Sequence, residues 1–133
     1  MHTTWSLIRY IWAAPTTAIG LVMMLGGLWR VRVRVVDGVL EAHGPALAWL
    51  LRHLTLMPEG AAAMTLGHVV IARDRQSLEL TRAHERVHVR QCEQWGPLFL
   101  PAYLAASLWA LLRGRDSYFD NWFEVEAFQR ERR

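Results

Sequence analysis

The longest run of uncharged residues lies near the N-terminus and restricts the possible folds of this chain more than any other feature. Nineteen residues, Ile11 to Trp29, carry no charge and are mostly apolar. A helix needs roughly 17–25 such residues to cross the hydrocarbon core of a bilayer. Aromatic residues, which favour the membrane interface, stand near both ends of the run: Trp5, Tyr10, Trp12 and Trp29. We therefore predict an apolar helix in residues 1–29 that either crosses a membrane or is buried against the rest of the fold.

Three arginines follow this run directly and suggest its orientation. Arg30, Arg32 and Arg34 stand just beyond the apolar segment, and basic residues flanking a span favour the cytoplasmic side. The predicted localisation is membrane or membrane-associated, with the bulk of the chain in the cytoplasm.

The composition restricts the partners. All 15 basic residues are arginine, and the net charge is only +3. They are scattered, whereas nucleic-acid-binding proteins usually carry clustered basic residues, so we expect no nucleic-acid partner. Cys92 is the single cysteine, which excludes an intrachain disulfide. It is predicted to be a small buried residue, with a soft metal ligand near the site as the alternative.

Residues 30–133 are long enough for one compact domain. Arg30 to Val36 alternates basic and apolar residues, Asp37-Gly38 is a typical hairpin turn, and Val39 to Ala42 forms the return strand. We expect the valines to face a core and the arginines to face solvent. Periodicity and Gly/Pro positions predict a further strand at the β-branched end of residues 64–72 and helices at 46–56, 78–95, 98–112 and 118–133.

The chemistry is concentrated in His84-Glu85-Arg86-Val87-His88. Two histidines four residues apart on a helix lie on one face, one turn apart, and can hold one tetrahedral metal ion. Glu85 is offset by one residue, so its carboxylate reaches beside the metal and can take a proton from a zinc-bound water. We predict that His84 and His88 are zinc ligands and that Glu85 is the catalytic residue.

A third ligand is available in the last helix. Glu124 and Glu126 are the candidates; because the two lie about 200° apart around a helix, only one can face the metal. Two histidines and one carboxylate leave the fourth position open for water, as in catalytic zinc sites.

Together, residues 84–88 and Phe123-Glu124-Val125-Glu126-Ala127 resemble the gluzincin clan of zinc metallopeptidases. The clan includes thermolysin-like enzymes and membrane-embedded peptidases, and the resemblance covers roughly residues 66–128. It implies that Glu124 is the third ligand. Phe128 stands where the clan usually has an Asp that supports a ligand histidine, so Asp120, Glu126 or a backbone carbonyl would have to orient His84.

Neighbouring residues have candidate roles, each with a structural alternative; only the first of these roles is implied by the resemblance. Gly67 to Ala72 would be an edge strand that pairs with extended peptide, or a plain core strand. Tyr103 and Tyr118 would stabilise the oxyanion, or pack as ordinary aromatics. Gln91 would line the site, or hydrogen-bond to another helix.

The prediction is therefore an α+β fold. Its zincin-like core, residues 30–133, contains a β-hairpin, an edge strand, an active-site helix and a glutamate helix, and it follows the apolar helix of residues 1–29. The expected activity is hydrolysis of peptide or protein substrates by a zinc-dependent metallopeptidase. The chain is short for such an enzyme, which leaves two alternatives: a non-catalytic metal-binding membrane protein, or an enzyme that works as a homo-oligomer.

Overall fold

The computed structural model describes residues 2–25, 31–54 and 61–131. These residues form a mixed α+β fold of five α-helices and one four-stranded sheet. The elements in chain order are α1 (His2–Leu25), β1 (Arg32–Val36), β2 (Val39–His43), α2 (Pro45–Leu54), β3 (Ala63–Leu66), β4 (Val69–Ala72), α3 (Arg75–Trp95), a 3₁₀ turn (Gly96–Leu98), α4 (Phe99–Leu112) and α5 (Trp122–Arg130).

The sheet is mixed, with strand order β1-β2-β4-β3. β1 and β2 form the predicted antiparallel hairpin, closed by Asp37 and Gly38 with φ of 51° and 77°. Both values lie in the left-handed region that two-residue hairpin turns require. β2 then pairs in parallel with β4, and β3 pairs antiparallel with β4. β1 and β3 are therefore the two edges of the sheet.

Alternating side chains of the central strands pack against two helices on opposite faces. On one face, Val69 and Ile71 of β4 join Leu47 and Leu51 of α2. On the other, Val70 packs with residues of α3 that include Leu78 and Val89. Since successive residues of a strand point to opposite faces, β4 is covered by helices on both sides.

Two predictions about the strands are confirmed only in part. The β-branched end of residues 64–72 is the strand β4, as expected, but Ala63–Leu66 form a second strand, because Gly67 adopts a φ of 66° and turns the chain between β3 and β4. Val39 of β2 is buried in the core as predicted, but Val33 and Val35 of β1 are 48% and 66% exposed. β1 is an edge strand, and the helix that packs on this side of the sheet covers the central strands instead.

Helix α1 packs on the domain through small and hydroxyl-bearing residues. Ala13 and Thr16 are almost fully buried, whereas Leu7, Ile11 and Val22 are largely exposed. Side chains of α1 also hydrogen-bond to the backbone of other elements: Tyr10 to Gly38, Trp12 to Gln94, Thr16 to Gly96 and Thr17 to His68. The helix therefore presents its small residues inward and its large apolar residues outward. The predicted division between residues 1–29 and 30–133 is not tested by these contacts, since residues 26–30 lie outside the described ranges.

Among the described residues, one helical stretch is long and apolar enough to cross a bilayer by length and composition, and it covers Arg75–Leu112. This differs from the predicted N-terminal span; in α1 the described apolar portion, Leu7–Val22, is shorter. The stretch consists of α3, the 3₁₀ turn and α4, and its apolar residues are concentrated in α4. Core helices of soluble proteins share these properties, so this evidence for a membrane is weak.

A buried carboxylate joins the hairpin to α3. Glu41 of β2 is 2% exposed and accepts two hydrogen bonds from Arg82, at 2.8 and 3.0 Å, and one from Arg86, at 2.7 Å. Arg86 also donates to the carbonyl of Val36 at 3.1 Å. Burial alone would raise the pKa of Glu41, but the two guanidinium groups outweigh it and hold the pKa below its usual value. This network fixes α3, which carries the histidine pair, against the sheet.

We expect Glu41→Gln to lower the free energy of unfolding by about 2 kcal/mol, because it removes the charge that two half-buried arginines share. Urea denaturation at pH 7 measures this loss. The matched control is Glu79→Gln, which breaks the exposed pair with Arg75 and should cost less than about 0.5 kcal/mol.

The stability difference between the wild type and Glu41→Gln should depend on pH. Because the folded pKa of Glu41 lies below its unfolded value of about 4.3, its stabilisation is complete above that pH and is lost as the pH falls through the folded pKa. The stability difference between the wild type and Glu41→Gln should therefore shrink in acid. A difference that stays constant down to pH 3 would contradict this role of Glu41.

Candidate metal centre

The histidine pair lies in the middle of α3, a helix with well-defined ends. Asp74 caps its N-terminus by accepting a hydrogen bond from the backbone N–H of Ser77 at 2.7 Å. Gly96, with a φ of 58°, ends it. In between, His84 and His88 stand one turn apart, and both are about 95% buried. The sequence interpretation of a mid-helix histidine pair is therefore correct as to secondary structure and position.

Helix α5 brings a carboxylate to both histidines. One oxygen of Glu124, Oε1, lies 2.8 Å from Nε2 of His84 and 3.0 Å from Nε2 of His88. Glu124 sits in the first turn of α5, whose N-cap is the fully buried Asn121. Asn121 accepts from the N–H of Phe123 and donates to the Ser107 hydroxyl of α4, both at 2.8 Å. The capping residue thus fixes the start of α5, and with it Glu124, relative to α4.

The second oxygen of Glu124 is held as well. Oε2 accepts a hydrogen bond from the hydroxyl of Tyr103 on α4. Tyr103, predicted as either an oxyanion donor or a packed aromatic, therefore contacts the carboxylate of Glu124. Tyr118, the other tyrosine considered, lines the same cavity, and burial together with the negative charges of Glu124 and Glu85 raises its pKa.

His84, Glu85 and His88 form a buried group whose ligand atoms all lie within 4.8 Å of one another. Such a group could bind a metal ion. The fit is supported by the donor set, since two imidazole Nε2 atoms and a carboxylate oxygen of Glu124 converge from two helices. Imidazole and carboxylate are ligands that zinc accepts, although other divalent metals accept them too.

Glu126, the rival third ligand, points elsewhere. Its Oε1 accepts from Nε2 of Gln91 at 2.9 Å, and its Oε2 lies 3.7 Å from Arg130. Glu124 and Glu126 do face different directions, as their spacing on a helix requires. This geometry favours Glu124, whose role as a ligand remains a prediction.

Glu85 lies beside the two histidines and is held by β3. Thr65 donates its hydroxyl to Oε1 of Glu85 at 3.0 Å, and Glu85 is 5% exposed. Burial raises the pKa of Glu85, while the positive charge of His88 and His84 opposes that rise. A raised pKa brings a carboxylate closer to the pH at which it can both accept and return a proton.

His88 and Glu124 shift each other's pKa in opposite directions. Burial would lower the pKa of His88, but the hydrogen bond that His88 donates to Glu124 and the charge of Glu85 raise it to about 9. Burial would raise the pKa of Glu124, but the hydrogen bonds from His84 and His88 lower it to about 2. A metal ion must displace the His88 proton, because only the neutral imidazole has a free lone pair.

Three residues that contact the site were missed or left open by sequence reasoning. Thr65 bonds Glu85, Gln91 bonds His88 at 2.7 Å, and Glu131 lies 3.2 Å from Nδ1 of His84. Glu131, which was not considered from the sequence, takes the position beside His84 for which Asp120, Glu126 and a backbone carbonyl were proposed. The ring of Phe128 instead packs on His84, with ring centroids 4.4 Å apart. The spacing of seven residues between Glu124 and Glu131, two turns on one helix face, is the signal that could have identified Glu131.

Two more side chains of types that can bind metals, Cys92 and His68, have other contacts. Cys92 is fully buried and packs with Ala13, Phe99 and Phe123, and burial raises the pKa of its thiol to about 12. His68 pairs with Glu93 at 2.9 Å and stacks on the ring of Tyr10. Neither belongs to the group around His84.

A cavity of about 160 Å³ opens beside the site. Its lining combines β3, α3, α4 and α5 and includes polar groups of Glu85, His88 and Glu124. The remaining lining is mostly apolar and includes Met64, Phe99 and Leu104.

Comparison of the chain with family models, with curated proteins and with solved structures found no match. The resemblance to gluzincins therefore rests on the residues of the two motifs alone.

Proposed function

We propose that this protein is a zinc-dependent metallopeptidase in which His84, His88 and Glu124 hold the metal and Glu85 acts as the general base. The observation that carries the proposal is the convergence of two imidazole Nε2 atoms and one Glu124 oxygen beside a buried Glu85 carboxylate. Histidine pairs of purely structural origin do not require a second carboxylate next to them, whereas hydrolysis does.

Glu85, Thr65 and Tyr118 have separate roles in the proposed hydrolysis. A zinc ion bound here would lower the pKa of a water molecule and polarise the carbonyl of the scissile bond. Glu85 takes the proton from the attacking water and returns it to the leaving amine. Thr65 keeps the Glu85 carboxylate in place through its hydroxyl. Tyr118, which lines the cavity and whose raised pKa keeps its hydroxyl protonated, is available to donate to the oxyanion.

An extended peptide fits the edge of the sheet next to the site. β3, residues 63–66, is an edge strand whose Ala63, Met64 and Thr65 line the cavity. Peptides add to exposed strand edges through backbone hydrogen bonds. The strand for substrate pairing is therefore β3; β4, the strand proposed from the sequence, is central in the sheet and paired on both sides. The apolar cavity favours an apolar side chain beside the scissile bond.

Removal of the metal tests this function. We expect the zinc-loaded protein to cleave a fluorogenic peptide library, the chelator-treated protein to cleave none of it, and stoichiometric zinc to restore cleavage. Mass spectrometry of the products should show cuts beside apolar residues. Cleavage that survives complete removal of zinc would assign the activity to a contaminant or to another mechanism.

A second candidate is a metal-binding protein without catalysis. The observation that favours it is the size of the cavity, since about 160 Å³ is small beside the roughly 300–1,000 Å³ of typical ligand pockets. Zinc binding without cleavage of any peptide would favour this candidate. If the protein forms a homo-oligomer with a larger cavity, the cavity volume would be consistent with the enzyme proposal.

We propose further that the protein is bound to a membrane through α1 and α4. Both helices expose large apolar residues, among them Leu7, Ile11 and Val22 of α1 and Leu108 and Leu112 of α4. The face of α1 that packs on the domain includes the small residues Ala13, Thr16 and Gly20, and small residues are common between helices that pack in lipid.

Fractionation tests the membrane proposal. After carbonate washing, we expect the full-length chain to stay with the membrane pellet and to be released by detergent. Recovery in the carbonate supernatant would mean that these apolar faces are covered by protein.

A further inference from the structure

Gln91 lies one turn beyond His88 on α3 and is 1% exposed. Its Oε1 lies 2.7 Å from Nδ1 of His88. Its Nε2 donates to the backbone carbonyl of Phe123 at 3.0 Å and to Oε1 of Glu126 at 2.9 Å. All of the polar atoms of this buried amide are therefore used, and they connect α3 with α5.

These partners fix the orientation of the amide. A backbone carbonyl and a carboxylate accept hydrogen bonds, so the NH₂ group of Gln91 must face Phe123 and Glu126. The amide oxygen, which can only accept, is then turned towards His88. Nδ1 of His88 must carry a proton to bond with it, and this leaves Nε2 of the neutral ring as the nitrogen with a free lone pair. Nε2 is the atom that lies 3.0 Å from Glu124.

Gln91 also binds helix α5, which carries Glu124. Phe123, whose carbonyl it binds, is the residue directly before Glu124. One amide thus holds the ring of His88 on α3 and the backbone next to Glu124 on α5 at the same time.

We propose that Gln91 is the positioning residue of the metal centre: it selects the Nδ1–H tautomer of His88 and sets the separation of α3 and α5. This inference rests on the proposed metal site. Glu131 holds the ring of His84 less firmly than Gln91 holds the ring of His88, because the side chain of Glu131 is 28% exposed and lies 3.2 Å from Nδ1 of His84. Partners that orient ligand histidines in this way contribute about 10- to 100-fold to metal affinity.

The test compares Gln91→Leu with Gln94→Leu, an exposed glutamine on the same helix, using the full-length chain in detergent. We expect Gln91→Leu to lower zinc affinity by about 10- to 100-fold, measured by competition with a chromogenic chelator. Gln94→Leu should leave the affinity unchanged. Equal affinities for the two variants would overturn the proposal.

Nitrogen-15 NMR of the histidine rings gives a readout that does not depend on activity. The wild type should show a slowly exchanging Nδ1 proton on His88 that Gln91→Leu loses. Gln91→Glu keeps the acceptor for Nδ1 but removes the donor to Phe123, so it should keep this signal and bind zinc more weakly than the wild type. A signal kept in both variants, or lost in both, would overturn the role of Gln91.

The NMR result also separates this inference from the proposed function. A wild type that binds no zinc but shows the Nδ1 proton of His88 would contradict the metal centre and leave the hydrogen-bond geometry intact. A wild type that binds zinc with the same affinity as Gln91→Leu would contradict only the role of Gln91.

Discussion

Glu85→Gln should lose at least about 100-fold in kcat for peptide cleavage while keeping its zinc. General acid–base catalysis contributes typically 10²–10⁴-fold to rate, and an amide cannot take a proton from water. The substitution preserves the shape of a side chain that is 5% exposed and leaves an oxygen to accept from the Thr65 hydroxyl. Because burial raises the pKa of Glu85, the neutral amide should also be tolerated in the folded state.

Two measurements on the same preparation check this prediction. The rate of cleavage is compared with the zinc content, so that loss of activity is separated from loss of metal. The matched control is Glu93→Gln, which changes a carboxylate on the same helix that pairs with His68 and lies outside the metal centre. If Glu85→Gln cleaves peptide as fast as the wild type while both hold zinc, Glu85 is not the base and the peptidase proposal fails.

Glu124→Ala should lower zinc affinity by more than about 100-fold, the upper end of the loss produced by residues that only orient a ligand. Its carboxylate oxygen lies within 3.0 Å of both histidine Nε2 atoms. Glu126→Ala is the matched control, since it removes a carboxylate two residues along the same helix that bonds Gln91 instead of the histidines. Glu126→Ala should lower zinc affinity by no more than Gln91→Leu does.

The metal-free protein provides an independent check on Glu124. Its hydrogen bond and charge raise the pKa of His88 to about 9, so Glu124→Ala should lower the pKa of His88, as followed by the pH dependence of its ring NMR signals. An unchanged pKa would show that Glu124 does not contact His88 in solution. A larger loss of zinc in Glu126→Ala than in Glu124→Ala would reverse the assignment of the third ligand.

The parts of the fold that sequence reasoning predicted are those set by local signals. The hairpin follows from Asp37-Gly38 between alternating residues, and the end of α3 follows from Gly96-Pro97. Both depend on backbone conformations that few other residue types adopt easily. The position of His84 and His88 on one face follows in the same way from the period of the helix.

The parts that were missed depend on which element packs on which. Nothing local to Val33 or Val35 shows that β1 lies at a sheet edge; this follows from the parallel pairing of β2 with β4. The turn at Gly67 was not predicted, because residues that favour strands stand on both sides of this glycine. Glu131 reaches His84, and the amide of Gln91 is turned towards His88, only because α5 docks on α3, a contact between residues about thirty to fifty positions apart.

X-ray absorption spectroscopy of the zinc-loaded, full-length protein tests the central claim most directly. The account predicts one zinc per chain with nitrogen and oxygen neighbours at about 2.0–2.2 Å, and loss of that signal in His84→Ala. A spectrum with a sulfur neighbour at about 2.3 Å would make Cys92 a ligand and contradict the proposed site. Failure of the wild-type chain to retain zinc at all would contradict both the enzyme and the metal-binding alternative.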